Sequence, residues 1–130
     1  MSINITIFLF IMYIILSCSD DGNLTGTWDC SLFTGLGSSS ATLYLDENDG
    51  KLSGTFRWDY HDLNLSVDGT VNSKRQVNME TEDDVHRCVF ALRSLKDDTF
   101  LDGSIQYYVY SEEAQASFHV DGGAFEANIR

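Results

Sequence analysis

From residue 24 onward, apolar and polar residues alternate one by one over short stretches. Successive side chains of a β-strand point to opposite faces, so this alternation predicts strands with one buried face. Glycine and Asn/Asp turns separate the stretches, and none of them has the 3.6-residue period of a helix. We predict eight strands, at residues 24–33, 39–46, 51–60, 62–71, 74–81, 85–95, 99–110 and 114–129.

A short glycine motif recurs within these strands. Leu24-Thr25-Gly26-Thr27-Trp28 returns as Leu52-Ser53-Gly54-Thr55-Phe56, as Val67-Asp68-Gly69-Thr70-Val71 and as Leu101-Asp102-Gly103-Ser104-Ile105. In each copy the two apolar residues and the glycine share one strand face. A glycine there leaves room for a neighbouring ring and lets the strand coil sharply, as barrel closure requires. Four ordinary turn glycines are the alternative.

Eight short antiparallel strands in sequence predict an all-β, up-and-down barrel, because closure removes the exposed strand edges. The chain has no proline, so every strand residue can donate to a ladder. A two-sheet sandwich is the alternative. We expect tight turns at Asp49-Gly50, Asn72-Ser73, 96–98 and 111–113. Residues 121–123, Asp-Gly-Gly, interrupt the last strand as a bulge or a further hairpin turn.

The alternation also predicts which side chains face the interior. The inward set is Trp28, Cys30, Leu32, Ala41, Leu43, Leu45, Gly54, Phe56, Trp58, Tyr60, Leu63, Leu65, Val67, Val71, Val77, Met79, Cys88, Phe90, Leu92, Leu101, Ile105, Tyr107, Val109, Phe118 and Val120. The outward set includes Thr27, Asp29, Arg57, Asp59, Arg87 and Arg93. Charge is thus separated from apolar bulk, which supports the strand assignments.

The first residues have a different pattern. Residues 3–16 form an apolar run broken only by Asn4 and Thr6. Since a bilayer span needs about twenty apolar residues, this run fits the core of a secretion signal better. Ile15-Leu16-Ser17-Cys18 resembles the lipobox of bacterial lipoproteins, where the chain is cut before a cysteine that is then acylated.

We therefore expect a signal peptide at 1–17, a tether at 18–23 lipidated on Cys18, and a barrel domain at 24–130. This organisation predicts a lipid-anchored protein of the cell envelope, at the outer membrane or the cell surface. No Lys or Arg precedes the apolar run, so a secreted protein is the alternative. In that case the sequons at Asn23 and Asn64 would be glycan sites.

The charge balance narrows the range of partners. Eight Lys and Arg residues stand against twenty Asp and Glu residues, a net charge of −12. Such a chain is not expected to bind nucleic acid, or to contact a membrane except through its lipid anchor. The acids are scattered over turns and strand faces, so solubility explains them.

Two cysteines remain after Cys18, namely Cys30 and Cys88. An even pair in an exported chain favours a disulfide, and we predict one between them. Two separately buried thiols are the alternative.

The motif at Gly26-Thr27-Trp28 resembles the opening of the calycin superfamily, which includes lipocalins, fatty-acid-binding proteins and avidins. In those families the tryptophan plugs one end of an eight-stranded barrel. The order Leu24–Trp28, Leu36–Ser38 and Leu52–Phe56 is similar to that of avidins, and the whole chain looks most like a short bacterial lipocalin-like lipoprotein. The resemblance implies that Trp28 is the plug and that a late arginine, Arg130, packs over it.

The biotin site of avidins is not conserved in this sequence. Cys30 stands where avidins have an asparagine, and Phe56 stands where they have a tyrosine. No tryptophan follows Trp58, so the later ring-stacking walls are missing.

Residues suited to catalysis or metal binding do not cluster in the sequence. His61, His86 and His119 fall on different predicted strands, without the spacing of metal ligands. Asp59-x-His61-Asp62 is the nearest approach to an acid–base cluster, but alternation places Asp59 and His61 outside, as a surface patch. We expect no enzymatic activity, no cofactor and no metal.

The barrel interior leaves two functional hypotheses, because an eight-stranded barrel is either filled by side chains or holds one small ligand. The first is a non-enzymatic lipoprotein that binds a small apolar or aromatic ligand in an aromatic mouth opposite Trp28. Its expected lining is Phe56, Trp58, Tyr60 and Tyr107. The alternative is a protein-interaction module, an inhibitor or surface adhesin, whose barrel is filled and whose loops and outer faces bind the partner.

Overall fold

The computed structural model describes residues 23–130; the predicted signal peptide and Cys18 lie outside this range. The strands are β1 (Gly26–Thr34), β2 (Gly37–Asn48), β3 (Lys51–Trp58), β4 (Leu63–Val71), β5 (Gln76–Glu82), β6 (His86–Leu95), β7 (Phe100–Ser111) and β8 (Ala116–Ile129). A 3-10 turn, Asp59–His61, links β3 to β4. Each strand pairs antiparallel with the next, and β8 returns to β1. The predicted up-and-down barrel is confirmed.

The up-and-down order gives the barrel two distinct ends. The chain enters at β1, and this entry end also carries the β2–β3, β4–β5 and β6–β7 turns. The far end carries the β1–β2 turn, the 3-10 turn, the β5–β6 turn and the β7–β8 turn. Asp49-Gly50, at the entry end, has φ values of 53° and 79°. These left-handed conformations are what a two-residue hairpin loop requires.

The interior is filled by aromatic rings stacked along the barrel. Phe56 contacts Phe90 with ring centroids 4.9 Å apart, and Phe90 contacts Phe125 at 5.6 Å. Both contacts are edge-to-face, the geometry that aromatic quadrupoles favour. Trp28 and Trp58 are 0% exposed, one towards each end of this column. Burying each of these side chains stabilises the fold by about 1.5–3 kcal/mol.

Three of the four motif glycines, Gly54, Gly69 and Gly103, allow close approach of a neighbouring backbone rather than of a ring. A Cβ added at Gly54 would lie 1.7 Å from the carbonyl oxygen of Tyr44 on β2. A Cβ added at Gly103, whose φ is +154°, would lie 2.1 Å from the carbonyl oxygen of Ala91 on β6. The glycines therefore let adjacent strands approach each other closely. This permits the sharp coiling that a small barrel needs.

The predicted interior is confirmed for β1 to β7, with one exception, and is wrong at the start of β8. Tyr60 is 53% exposed, because the strand ends at Trp58 and the 3-10 turn rotates the next side chains. Phe118 and Val120 are also exposed. The register shifts by one residue where Tyr107 pairs with Asp121 and Tyr108 with His119, so Val120 is the extra residue of a β-bulge.

The predicted disulfide is contradicted by the structure, in which Cys30 and Cys88 are buried free thiols. Cys30 is on β1 and Cys88 on β6, with β7 and β8 between them around the barrel. Neighbouring strands lie about 4.8 Å apart, whereas a disulfide needs Cα atoms within about 7 Å of each other. Burial raises the pKa of the Cys30 thiol to about 12 and that of Cys88 to about 11.

Candidate functional site

The entry end is closed by Trp28 and an ionic cluster. The Trp28 indole donates a hydrogen bond from Nε1 to the Leu24 carbonyl, at 2.9 Å. Arg75 Nη2 lies 2.9 Å from Asp98 Oδ2 and 3.7 Å from Glu47 Oε1. Glu47 in turn accepts a hydrogen bond from the Leu24 backbone at 3.0 Å. These contacts fix the segment before β1 against the barrel.

Arg130 does not pack over Trp28, contrary to the prediction. Its guanidinium lies on the outer face, where Nε donates to Asp29 Oδ1 at 2.9 Å. The Arg130 backbone N–H donates to the Thr27 carbonyl. Arg130 thereby continues the alternation at the end of the strand, in which this position faces outward. The ion pair with Asp29 raises the pKa of Arg130.

At the far end, three rings cover the top of the aromatic column. The His61 ring lies 4.5 Å from that of Trp58 and 4.9 Å from that of Tyr107, measured between centroids. Trp58 Nε1 donates to Ser39 Oγ on β2 at 2.9 Å. His61 reaches this position because Asp62, with φ at 54°, ends the 3-10 turn in a left-handed conformation.

His61, and His86 beside Tyr107, each have a polar partner. His61 Nε2 lies 2.9 Å from Asp121 Oδ2, and the two side chains are 13% and 1% exposed. The other Asp121 oxygen accepts the Gly122 backbone N–H at 2.9 Å. His86 Nδ1 lies 2.9 Å from the Tyr107 hydroxyl, and burial raises the pKa of that phenol. One ring nitrogen of each histidine and the Tyr107 hydroxyl are thus engaged by a neighbour.

The predicted aromatic mouth is therefore closed. Phe56, Trp58 and Tyr107 do lie together, but they are 0%, 0% and 4% exposed and pack on one another. Tyr60, the fourth predicted lining residue, lies outside the barrel. A surface depression of about 560 Å³ does occur between β4 and β5, but it is open and lies on the outer face around Gly69 and Met79.

The exposed apolar side chains gather at the far end. Of the nine large apolar side chains that are exposed in residues 23–130, seven lie there. We call these seven the far rim: Phe33, Leu36, Tyr60, Val85, Tyr110, Phe118 and Val120. The other two, Tyr44 and Leu95, lie on β2 and at the entry end of β6.

Acidic groups surround the far rim. The exposed carboxylates at this end include Asp59, Asp62, Asp83, Asp84, Glu112 and Glu113. The nearby arginines are paired with acids, Arg57 with Asp59 at 3.0 Å and Arg87 with Glu80 at 2.6 Å. Asp83 accepts the backbone N–H groups of His86 and Val85, which lowers its pKa and orders the β5–β6 turn. The far end of the barrel thus combines the apolar far rim with negative charge.

Several features of the sequence prediction bear on this site. His61 and Asp121 were not predicted to meet, because alternation placed His61 outside and Asp121 in a break of the last strand. The signal for the position of Asp121 is that same Asp-Gly-Gly break, because the bulge residue Val120 directly precedes it.

Within residues 23–130, no three His, Cys, Asp or Glu side chains are grouped as metal ligands would be. The described part of the chain also contains no helix long and apolar enough to cross a bilayer. Comparison with the models of known protein families gives no match, and comparison with curated proteins gives none either.

Proposed function

We propose that the protein is a non-enzymatic, lipid-anchored module of the cell envelope that binds another protein through its far rim. The observation that carries the proposal is the gathering, at one end, of seven of the nine large apolar side chains that are exposed in residues 23–130. Exposed apolar side chains gathered at one end and surrounded by polar groups are typical of protein-binding sites.

The direction of the chain supports this use of the far rim. The barrel is entered at β1 from the opposite end, where Leu24 is buried and held by Glu47. An acyl chain on Cys18, only a few residues earlier, would anchor that end at the membrane surface. The far rim would then point away from the membrane, towards other proteins.

The filled interior favours this function over the binding of a small apolar ligand. A ligand of that kind needs an enclosed apolar cavity of several hundred Å³. Here the aromatic column and the His61–Trp58–Tyr107 cluster occupy the space between the two ends. The barrel architecture is compatible with the lipocalin-like resemblance, but a fold by itself assigns no ligand.

Co-purification from the cell envelope tests the proposal. We compare the full-length protein with a double variant of the far rim, Leu36→Asp and Val85→Asp, and with a matched control, Tyr44→Asp and Leu95→Asp. All four side chains are exposed, so neither variant should alter the fold. We expect a co-purifying protein to be lost with the rim variant and kept with the control. Equal retention by both variants would contradict the proposal.

A further inference from the structure

Strand β8 has an open edge at the far end. β1 pairs with β8 only from Ile129 back to Gly123, where its partner is Thr34. Residues 116–122 of β8 pair with β7 on one side and with no other described strand on the other. At about 3.3 Å per residue, this edge is about 23 Å long. An open strand edge of this length is a template for another strand.

The hydrogen bonds show which backbone groups face the open side. The Tyr110 backbone N–H donates to the Val85 carbonyl at 2.8 Å, so Tyr110 points towards β6 and away from β8. Ser117 is the β8 partner of Tyr110, and the two therefore form a non-hydrogen-bonded pair. The N–H and C=O of Ser117 must point away from β7, to the open side.

The same alternation applies two residues further along. Tyr108 pairs with His119, so the N–H and C=O of His119 also face the open side. Cys88 gives an independent check: its N–H donates to Thr81 Oγ1 on β5, so its partner Tyr107 points to β8. The edge thus offers two donors and two acceptors in strand geometry, beside the exposed ring of Phe118.

We propose that this edge binds an extended segment of the partner protein as an added β-strand, and that the segment alternates basic and apolar residues. The inference rests on the proposed function and specifies its mode of recognition. Main-chain hydrogen bonds to Ser117 and His119 supply affinity, and side chains of the added strand supply specificity. Apolar residues of the segment contact Phe118, and basic residues complement the carboxylates that surround the far rim.

Charge and geometry both favour a different protein over a second copy of this chain. Each copy carries a net charge of −12, so two far rims repel each other. Symmetric pairing of two β8 edges is antiparallel, and it would point the two entry ends in opposite directions. Two copies anchored in one membrane could not adopt that arrangement.

The test uses the full-length protein and defined peptides as probes. The first is a ten-residue peptide of alternating lysine and valine, the second replaces lysine with glutamate, and the third carries a central proline that prevents strand pairing. The variants are Ser117→Pro, which removes the open-side N–H, and Ser117→Ala, which keeps it. Proline is tolerated on a strand edge, so β7–β8 pairing is preserved in both.

We expect the lysine–valine peptide to bind, with at least fivefold weaker affinity for Ser117→Pro and less than twofold change for Ser117→Ala. In the wild-type protein, bound peptide should slow hydrogen exchange of the Ser117 and His119 amides, a readout that does not depend on the proline variant folding. No binding, equal affinity of both variants, or equal binding of the proline-containing or glutamate peptide would overturn the proposal. Dimerisation of the wild type that Ser117→Pro abolishes would do so as well.

Failure of this inference is distinguishable from failure of the proposed function. If Leu36→Asp with Val85→Asp abolishes co-purification and Ser117→Pro leaves it intact, the far rim binds the partner and the edge does not. If neither change affects co-purification, the proposed function itself fails.

Discussion

His61 and Asp121 join the 3-10 turn to strand β8 across the far end of the barrel, with 2.9 Å between Nε2 and Oδ2. The contact links the two segments in which the strand alternation breaks, the turn after Trp58 and the bulge at Val120. It holds the His61 ring over Trp58 and Tyr107, and so closes the interior at the end where the far rim lies.

Asp121→Ala should therefore destabilise the protein by about 1–3 kcal/mol, since the His61 ring nitrogen loses its buried hydrogen-bond partner. The loss also leaves the Gly122 N–H without its acceptor. Asp102→Ala is the control, because the Arg93–Asp102 pair is solvent-exposed and its loss should cost less than about 1 kcal/mol. Urea unfolding measures both; similar losses for the two variants would show that the His61–Asp121 contact is unimportant.

Trp28→Ala should cost about 3–5 kcal/mol, the usual range for deletion of a large buried ring. The ring is 0% exposed and its Nε1–H is bonded to Leu24, so both packing and a hydrogen bond are lost. Tyr44→Ala removes an aromatic ring that is 46% exposed and should have a much smaller effect. A loss below about 1 kcal/mol for Trp28→Ala, measured by thermal or urea unfolding, would show that Trp28 does not act as the plug of the barrel.

Gly54→Ala should destabilise the barrel by about 3 kcal/mol or prevent folding, because the new methyl group would overlap the Tyr44 carbonyl on β2. Gly35→Ala provides the matched control. A Cβ at Gly35 has no heavy atom within 4 Å, and its φ is not in the left-handed range. Gly35→Ala should be neutral within about 0.5 kcal/mol. Equal stability of the two variants would mean that the close approach of β2 and β3 does not need glycine.

The two thiols should be unreactive in the folded protein and reactive after unfolding without reductant. Burial holds the pKa values of Cys30 and Cys88 at about 12 and about 11, so almost no thiolate exists at pH 8. Alkylation followed by mass spectrometry measures this. Labelling that requires reductant as well as denaturant would show that Cys30 and Cys88 form the predicted disulfide.

The same pKa shifts predict an alkaline loss of stability. Well below pH 9, the ordinary pKa of a thiol, both thiols are neutral in the folded and unfolded chain, so their contribution to stability is fully present. As the pH rises from about 9 towards 12, the unfolded chain releases the Cys30 proton while the folded protein retains it. The free energy of unfolding therefore falls over this window, and the fall should be smaller in a Cys30→Ala variant. Identical pH profiles for the two proteins would contradict burial of the neutral thiol.

Much of the fold could be predicted because the alternation of apolar and polar residues is nearly unbroken. The eight strands lie where the pattern places them, and the inward parity from Trp28 to Leu92 holds except at Tyr60. When every second residue is buried, the strand packs on one face only, and this one-sided packing forms the interior of a barrel.

The far end could not be predicted in this way, because alternation has no meaning outside a regular strand. The 3-10 turn exchanged the positions of Tyr60 and His61, and the bulge at Val120 changed the parity of Phe118 relative to Phe125. The contact between His61 and Asp121 joins residues sixty positions apart, and no local pattern records it. The candidate site lies where the sequence pattern is broken.

Photo-cross-linking in intact cells tests the central claim most directly, that the far rim is the protein-binding surface. A photoreactive residue is placed at position 36, in the far rim, or at position 44, on the outer face of β2. Leu36 and Tyr44 are 56% and 46% exposed, so chance collisions should label both equally. We expect one discrete heavier species from position 36 and none from position 44. Equal cross-linking at the two positions, or a discrete species from position 44 alone, would contradict the account.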